Sequence, residues 1–372
     1  MSVNWPLALV APLFFLGLAS LLCTFAWLFV AATIRLGGIR LAPVARKRLV
    51  MAALLMSLIV ASAPTVAGIL MRHTHSERGW RHHTSLCATL FLRMAGADLG
   101  ANMDVPPSHV AAGLAINGAL WALLGIGVVS ALRMAWVTAR LGPGLRSVMR
   151  EPGERAVRSL ERIRRRLPGL QPDAFFEADL PMHLSGLVGV IRPRCVLSAE
   201  LVRTATDDEL DAVIAHEAVH LGAGDVYGTL LVTVVERLFF FLRPTRLLCR
   251  EWREQAEIAC DTAASRITGQ PLTMAAAILR TCGVAVRAAD DGVVAAPPAT
   301  ATITTAASRR VESLIALAEP SARTMRPASR GAVFASWSVT LGTAALGLGL
   351  LASAQVACYA HCAMEVVARA LP

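Results

Sequence analysis

The chain has 372 residues, of which 55% are hydrophobic and only 17% are charged, and its mean hydropathy is +0.55. This composition excludes an intrinsically disordered chain and predicts a membrane protein. The net charge of +10 comes from basic residues that cluster beside apolar stretches, which is typical of a signal for membrane orientation.

Four apolar stretches are long enough to cross a membrane as helices: residues 5–34, 49–71, 110–132 and 332–358. We interpret the first as a span and not as a signal peptide, because it lacks a basic N-terminal region and its apolar run is too long. Basic residues crowd the short loop 35–48, which the positive-inside rule places in the cytoplasm. We therefore expect both termini outside and residues 139–331 in the cytoplasm.

Three cysteines and one arginine-rich stretch are interpreted as structural features. Cys87, Cys358 and Cys362 fall on the outer side in this topology, so that Cys87 has two alternative partners for one disulfide, and packing at the membrane edge is an equal alternative. The arginine-rich stretch 155–166 includes Glu161 and has no aromatic residues between its charges. It therefore predicts a solvated helix face, and we expect no direct binding of nucleic acid.

The most informative motif lies in the middle of the chain, where residues 216–220 read His-Glu-Ala-Val-His. Positions i and i+4 share one face of a helix, so His216 and His220 can reach one tetrahedral Zn²⁺. Glu217 can then accept a proton from water at the metal. A capping box at Thr206 and Glu209 predicts where this helix begins, and two glycines after the motif predict its end.

A catalytic zinc needs a third protein ligand, and the best candidate is Glu257. It lies in a helical stretch that places Asp261 on the same face, where its carboxylate can orient a zinc-bound histidine. Glu254, one turn earlier, is the alternative ligand. Cys260 points away from Glu257 and predicts a buried small residue. Asp225 has two equal readings, one orienting the site and the other capping the next segment.

The segment that precedes the helix of the histidine motif is predicted to bind the substrate. We expect residues 182–190 to form an edge strand that pairs with an extended substrate. Its apolar residues are Leu184, Leu187, Val188 and Val190. A side chain that stabilises the negative oxygen formed during peptide hydrolysis is also expected. Tyr227 and His183 are the candidates, and the sequence does not choose between them.

Two segments after the motif have simpler interpretations. Residues 226–242 are apolar but contain Glu236 and Arg237, so they predict a connecting helix and not an independent span. The phenylalanines at the end of this helix either enter the membrane or pack in the core, and we favour the membrane. Residues 288–305 are rich in Ala, Thr, Asp and Pro and predict a flexible linker.

The motifs together resemble the peptidase domain of the BlaR/MecR-type membrane metallopeptidases. More distantly, they are similar to HtpX-type and CAAX-prenyl proteases, which share the HExxH and ExxxD arrangement. The resemblance covers about residues 175–335 and is carried, in order, by residues 186–198, 208–210, 216–225, 241–244, 257–261 and 309–315. It implies that His216, His220 and Glu257 bind one Zn²⁺ per chain, that Glu217 is the general base and that Asp261 supports the ligands.

The expected fold is a multi-pass α-helical membrane protein with an inserted α+β zincin-like metallopeptidase domain. We expect three N-terminal spans in residues 1–138, a cytoplasmic peptidase in 139–331, a fourth span in 332–358 and a short external tail in 359–372. BlaR/MecR receptors carry a penicillin-binding domain after the last span. Because the chain ends at Pro372, we expect no such sensor here.

The resemblance implies a zinc metalloendopeptidase in the bacterial inner membrane. Its substrate would be a cytoplasmic or membrane-associated protein, such as a transcriptional repressor or a membrane-anchored regulator, cleaved during signalling. The alternative is an HtpX-like protease for the quality control of membrane proteins. A scaffold with a vestigial site is disfavoured, because every ligand and the base are present.

Overall fold

The computed structural model describes residues 7–35, 42–74, 107–179, 185–290 and 300–319. Within these ranges the chain is mostly helical and has one small sheet. The helices are α1 Leu7–Arg35, α2 Pro43–Thr74, α3 Pro107–Val148, α4 Glu154–Arg166, α5 Ala199–Thr204, α6 Asp207–Ala223, α7 Asp225–Leu238, α8 Arg243–Thr268, α9 Pro271–Asp290 and α10 Thr300–Ala318. The strands are β1 Met149–Arg150, β2 Phe175–Ala178, β3 Ser185–Val188 and β4 Arg194–Ser198.

The first three predicted spans all fall on helices. By length and composition, Phe15–Thr33 in α1 and Gly118–Thr138 in α3 are able to cross a membrane. The second predicted span lies inside α2. Helix α3 is longer than its predicted span and continues to Val148, past the expected domain boundary at residue 139. The fourth predicted span, the tail and the three cysteines predicted to be external lie outside the described residues.

The sheet has the order β1-β2-β4-β3, in which β2 and β4 are parallel and the other pairs are antiparallel. Among the described strands, β3 therefore lies at an edge and pairs only with β4. The predicted edge strand is shorter than expected, because the chain turns at Gly189, whose φ is +89°, and Val190 lies in the bend that follows. Leu184 and His183 lie outside the described residues.

Helix α6, which carries the histidine motif, is held at its start and against its neighbour. The predicted capping box of Thr206 and Glu209 is confirmed, with both reciprocal hydrogen bonds present. The buried carboxylate of Asp211 accepts hydrogen bonds from the hydroxyl of Ser159 and the guanidinium of Arg162, both on α4. Helix α4 buries its apolar face and exposes most of its arginines, as the sequence predicts.

Helices α7 and α8 pack against the N-terminal helices. One core cluster joins Cys23 and Val30 of α1 and Val50 and Leu54 of α2 to residues of α7 and α8, including Trp252. The buried apolar surface of α7 and α8 is therefore continuous with that of α1 and α2.

The predicted connecting helix corresponds to α7. Glu236 forms an ion pair of 2.6 Å with Arg253 on α8, which supplies a partner for a charge in an apolar helix. Phe239, at the end of α7, packs against α1, with its ring centroid 5.8 Å from that of Phe15. The sequence left two interpretations open for the phenylalanines, and Phe239 takes the one in which it packs within the protein. The helix that it contacts, α1, is itself able to cross a membrane.

Helices α9 and α10 close the remaining side of α6. Their apolar contacts include Met274 and Ile278 of α9, Leu314 of α10 and Ala212 of α6. The linker predicted for residues 288–305 is wrong at both ends, because α9 continues to Asp290 and α10 begins at Thr300. Tertiary packing overrides the weak local signal of this segment.

Candidate metal centre

The two motif histidines lie on one face of α6, as the i, i+4 spacing requires. Both side chains are largely buried, and their Nε2 atoms are 3.1 Å apart. The rings are nearly perpendicular, with an interplanar angle of 77°. The two Nε2 atoms therefore point to a single position beside the helix.

Glu257 of α8 reaches the same position from the opposite side. Its carboxylate oxygens lie 3.6 Å from Nε2 of His216 and 3.5 Å from Nε2 of His220. Zinc binds such atoms at about 2.0–2.2 Å, so tetrahedral ligand atoms lie roughly 3.3–3.5 Å apart. The three observed separations lie close to this value. The donor set of two imidazoles and one carboxylate thus fits a divalent transition metal.

His216 is backed by Asp261. Oδ1 of Asp261 lies 2.9 Å from Nδ1 of His216, and the carboxylate is fully buried. Arg310 of α10 donates to both oxygens of Asp261, at 2.6 and 2.8 Å, and its guanidinium also lies 3.0 Å from Glu257. A cation, a carboxylate and an imidazole therefore form a continuous chain that ends at the metal position.

A second chain of the same kind backs His220. Nδ1 of His220 lies 2.9 Å from Oδ2 of Asp225, the first residue of α7. Nζ of Lys47, on α2, lies 2.5 Å from Oδ1 of the same carboxylate. Gly224 makes this contact possible, because its left-handed backbone (φ +67°) ends α6 and turns the chain by 72° into α7. Of the two readings left open for Asp225, the side chain takes the one that orients the histidine.

Cys260 lies at the edge of the second chain. Its Sγ is 3.3 Å from Nδ1 of His220 and 3.4 Å from the Asp225 carboxylate. Burial raises the pKa of this thiol to about 11, so the sulfur stays protonated at neutral pH. Together with the ammonium of Lys47 on Asp225, this protonation disfavours a cation between His220, Asp225 and Cys260. Cys260 is buried, as predicted, and it also contacts the histidine.

The carboxylates change the proton affinity of both histidines. Burial lowers the pKa of His216, but contacts with Asp261 and Glu257 outweigh burial and raise the pKa. Burial also lowers the pKa of His220, and here Asp225 is the main opposing partner, so that the pKa rises to about 12. In the absence of a metal, the acidic side chains therefore favour the protonated form of each imidazole.

The carboxylates respond in the opposite direction. Burial raises the pKa of Glu257, but the two imidazoles and Arg310 lower it well below its ordinary value. The pKa of Asp261 is also lowered, because hydrogen bonds from Arg310 and contact with His216 outweigh burial. For Asp225, His220 and Lys47 likewise outweigh burial and lower the pKa. All three carboxylates are therefore ionised at neutral pH.

The charges around the position suit a divalent cation. Four carboxylates face it or its histidines, from Glu217, Asp225, Glu257 and Asp261, and the two cations among them are Lys47 and Arg310. With neutral imidazoles, two negative charges remain uncompensated. A doubly charged metal ion would neutralise them at the point where the ligand atoms converge.

The position opens into a cleft of about 410 Å³. Glu217 lines it and accepts a hydrogen bond of 2.8 Å from the hydroxyl of Ser185, the first residue of β3. The edge strand contributes Ser185, Gly186 and Leu187 to the cleft, and an apolar wall is formed by Val213, Met274, Ala277 and Ile278. The cleft thus joins a polar centre, a strand that lies at the sheet edge among the described strands, and an apolar wall.

The structure brings most of the predicted site residues together, and it separates others. Glu254 faces Arg309, at 2.6 Å, and is not among the residues that line the cleft. Tyr227 is 54% exposed, and its neighbours Val226 and Thr229 line the cleft instead. Val188 ends β3, one residue beyond the part of the strand that lines the cleft.

Sequence reasoning missed three contacts around the centre, made by Lys47, Ser185 and Arg310. Lys47 and Arg310 lie far from the motif along the chain, and the sequence offered them only as members of basic clusters. A basic residue beside a carboxylate has no periodic signal, because the contact depends on how distant helices pack. For Ser185, its position in the predicted edge strand was the available signal.

A histidine pair and a glutamate on crossing helices, beside an edge strand and an open cleft, define a metallopeptidase. Residues 155–314 match the family model described as BlaR1 peptidase M56, so this part of the chain is similar to that peptidase family. The predicted resemblance to BlaR/MecR-type peptidases is therefore confirmed. Neither a curated protein nor a solved structure matches the chain.

The geometry predicts that Glu257, and not Glu254, controls metal binding. We expect Glu257→Ala to lose bound metal, because it removes a carboxylate that contacts both Nε2 atoms. Glu254→Ala should retain the metal, since Glu254 faces Arg309. Metal content per chain, measured by elemental analysis of the purified protein, compares the two variants. Full metal content in Glu257→Ala with loss in Glu254→Ala would contradict the assignment.

Proposed function

We propose that the protein is a zinc metalloendopeptidase that cleaves a protein substrate at the position defined by His216, His220 and Glu257. The observation that carries this proposal is the convergence of the two Nε2 atoms and the Glu257 carboxylate at separations suited to one tetrahedral ion. A bound zinc ion would act as a Lewis acid that activates water and polarises the scissile carbonyl. Asp261 and Asp225 would hold the imidazoles in the tautomer that presents Nε2.

Glu217 is the proposed general base. Its carboxylate lines the cleft beside the ligand atoms, and the hydroxyl of Ser185 holds one of its oxygens. It would accept a proton from the attacking water and later deliver that proton to the leaving amine. Ser185 would fix the direction of the carboxylate and leave its second oxygen for this transfer.

The substrate is proposed to bind as an extended strand along β3. Among the described strands β3 lies at the sheet edge and lines the cleft, which is the geometry of strand addition. Leu187 and the wall of Val213, Met274, Ala277 and Ile278 would then surround a side chain next to the scissile bond. Because this wall is apolar, we infer a preference for an aliphatic or aromatic residue there.

We further propose that the peptidase segment lies in the cytoplasm of a bacterial inner-membrane protein with several spans. Lys47 lies in the predicted cytoplasmic basic loop and contacts Asp225. The metal position is therefore on the same side of the membrane as that loop, and the positive-inside rule places that side in the cytoplasm. The proposed division into three spans, a peptidase in 139–331, a fourth span and an external tail follows from the same topology.

The proposed biological role is signalling by proteolysis of a repressor or a membrane-anchored regulator. The match to the BlaR1 peptidase family supports this role. The cleft and the edge strand β3 suit an extended segment of a folded or membrane-anchored protein, since only a few residues need to enter the site.

We expect Glu217→Gln to bind zinc and to lose cleavage, because the amide keeps the shape of the side chain but cannot accept the proton. The expected fall in kcat is about 10²- to 10⁴-fold. Zinc content and peptide cleavage measured on the same preparation separate the two effects. Near wild-type cleavage by Glu217→Gln would show that another group is the base.

The apolar wall predicts a change in specificity. We expect Ala277→Phe to fill the cleft and to lower kcat/KM by about 10-fold for peptides with Leu or Phe beside the scissile bond, relative to peptides with Ala. Leu279→Phe is the matched control, because Leu279 lies on the exposed side of the same helix. Cleavage of a peptide library measures both variants. An unchanged preference in Ala277→Phe would place the subsite elsewhere.

The topology predicts different labelling on the two sides of the membrane. Glu154 has a side chain that is 93% exposed, so Glu154→Cys should react with an impermeant maleimide only after cell lysis. Ser76→Cys lies between the second and third predicted spans, on the outer side in this topology, and should react in intact cells. The wild-type protein gives the background from native cysteines. Reaction of Glu154→Cys in intact cells would overturn the proposed orientation.

A further inference from the structure

The N-terminal helices contribute one side chain to the metal centre. Lys47 lies near the start of α2, outside the residues that match the peptidase family model, and its ammonium is 2.5 Å from Asp225. The side chains of Lys47 and Asp225 are 12% and 7% exposed. A nearly buried ion pair thus joins a helix from the membrane part of the chain to the peptidase motif.

Asp225 transmits this contact to His220. One carboxylate oxygen faces Lys47 and the other lies 2.9 Å from Nδ1 of His220, whose Nε2 is at the metal position. A buried carboxylate with a fixed cation has one favoured orientation, since rotation would cost both contacts. Lys47 therefore determines how Asp225 meets the ring of His220.

The sequence adds an independent observation. Lys47 is the only lysine in the chain, and every other member of its 36 basic residues is arginine. An ammonium is a compact point charge on a flexible stem, whereas a guanidinium is a wide planar group. The nearly closed space between α2 and the first turn of α7 suits the compact group. A general requirement for positive charge in this loop would be met equally well by arginine.

We propose that Lys47 is a positioning residue for the metal centre, acting through Asp225 on His220. The site is then incomplete without α2, and the peptidase segment alone lacks one of its two cation–carboxylate–histidine chains. The other chain, from Arg310 through Asp261 to His216, lies entirely within the matched segment. This inference rests on the proposed function only in taking His220 as a metal ligand. A shift of α2 along its axis would change the affinity for the metal.

The first test measures zinc affinity of the purified full-length protein by competition with a chelator. We expect Lys47→Met to lower the affinity for zinc about 10-fold. This is the lower end of the loss typical of mutating residues that support metal ligands. Arg46→Met, which removes a charge from the same turn of α2, should keep wild-type affinity. In an Asp225→Asn background, Lys47→Met should cause no further loss, because its effect passes through that carboxylate.

The second test uses the single lysine as a spectroscopic probe. In protein labelled with ¹³C-lysine, the side-chain signal reports Lys47 alone, and it should shift when zinc is added. The shift should disappear in Asp225→Asn. A purely structural role for Lys47 would leave its signal unchanged by zinc.

The outcomes separate this inference from the proposed function. If the wild-type protein binds no zinc, the metallopeptidase proposal itself fails. If the wild type binds zinc and Lys47→Met binds it equally well, or loses affinity to the same extent with and without Asp225, the role of Lys47 is wrong. If Lys47→Met does not fold, the double variant with Asp225→Asn removes both buried charges. Its affinity, compared with that of Asp225→Asn alone, then decides: equal affinities support the role, and a further loss contradicts it.

Discussion

The centre of this molecule depends on keeping acidic groups buried beside two histidines. Isolated buried carboxylates are costly, because they lose hydration that nothing in an apolar interior replaces. Here Asp261 is paired with Arg310 of α10 and Asp225 with Lys47 of α2. Each pairing fixes a further helix around the crossing of α6 and α8. The electrostatics of the centre therefore depend on how the helices around it pack.

The pairing of Asp225 with Lys47 also joins the peptidase segment to the N-terminal helices. The core cluster around Trp252 and Leu248 of α8 includes Val50 and Leu54 of α2, a short distance along that helix from Lys47. Apolar packing thus holds α2 where its ammonium meets Asp225. An enzyme built in this way has its metal position next to the part of the chain predicted to enter the membrane. A signal carried by those helices would not need to cross a separate domain.

Local sequence patterns predicted the elements that local physics determines. The capping box, the spacing of the motif and the glycine that ends α6 all act within a few residues, and each is present where expected. The edge strand was placed correctly but ended early, because a glycine with positive φ turns the chain before Val190. The linker was the least reliable interpretation, since α9 and α10 gain their stability from packing on α6 rather than from their own composition.

By itself, the sequence predicted the class of protein and the residues proposed to carry its chemistry. His216, Glu217 and His220 follow from helical periodicity, and Glu257 and Asp261 follow from the same periodicity in a second helix. Only the tertiary structure decided that Asp225 orients His220, that Ser185 holds Glu217 and that Lys47 and Arg310 neutralise the buried carboxylates. The physical reason is range, because spacing along one helix is set by its own geometry, whereas an ion pair between helices is set by the packing of the whole core.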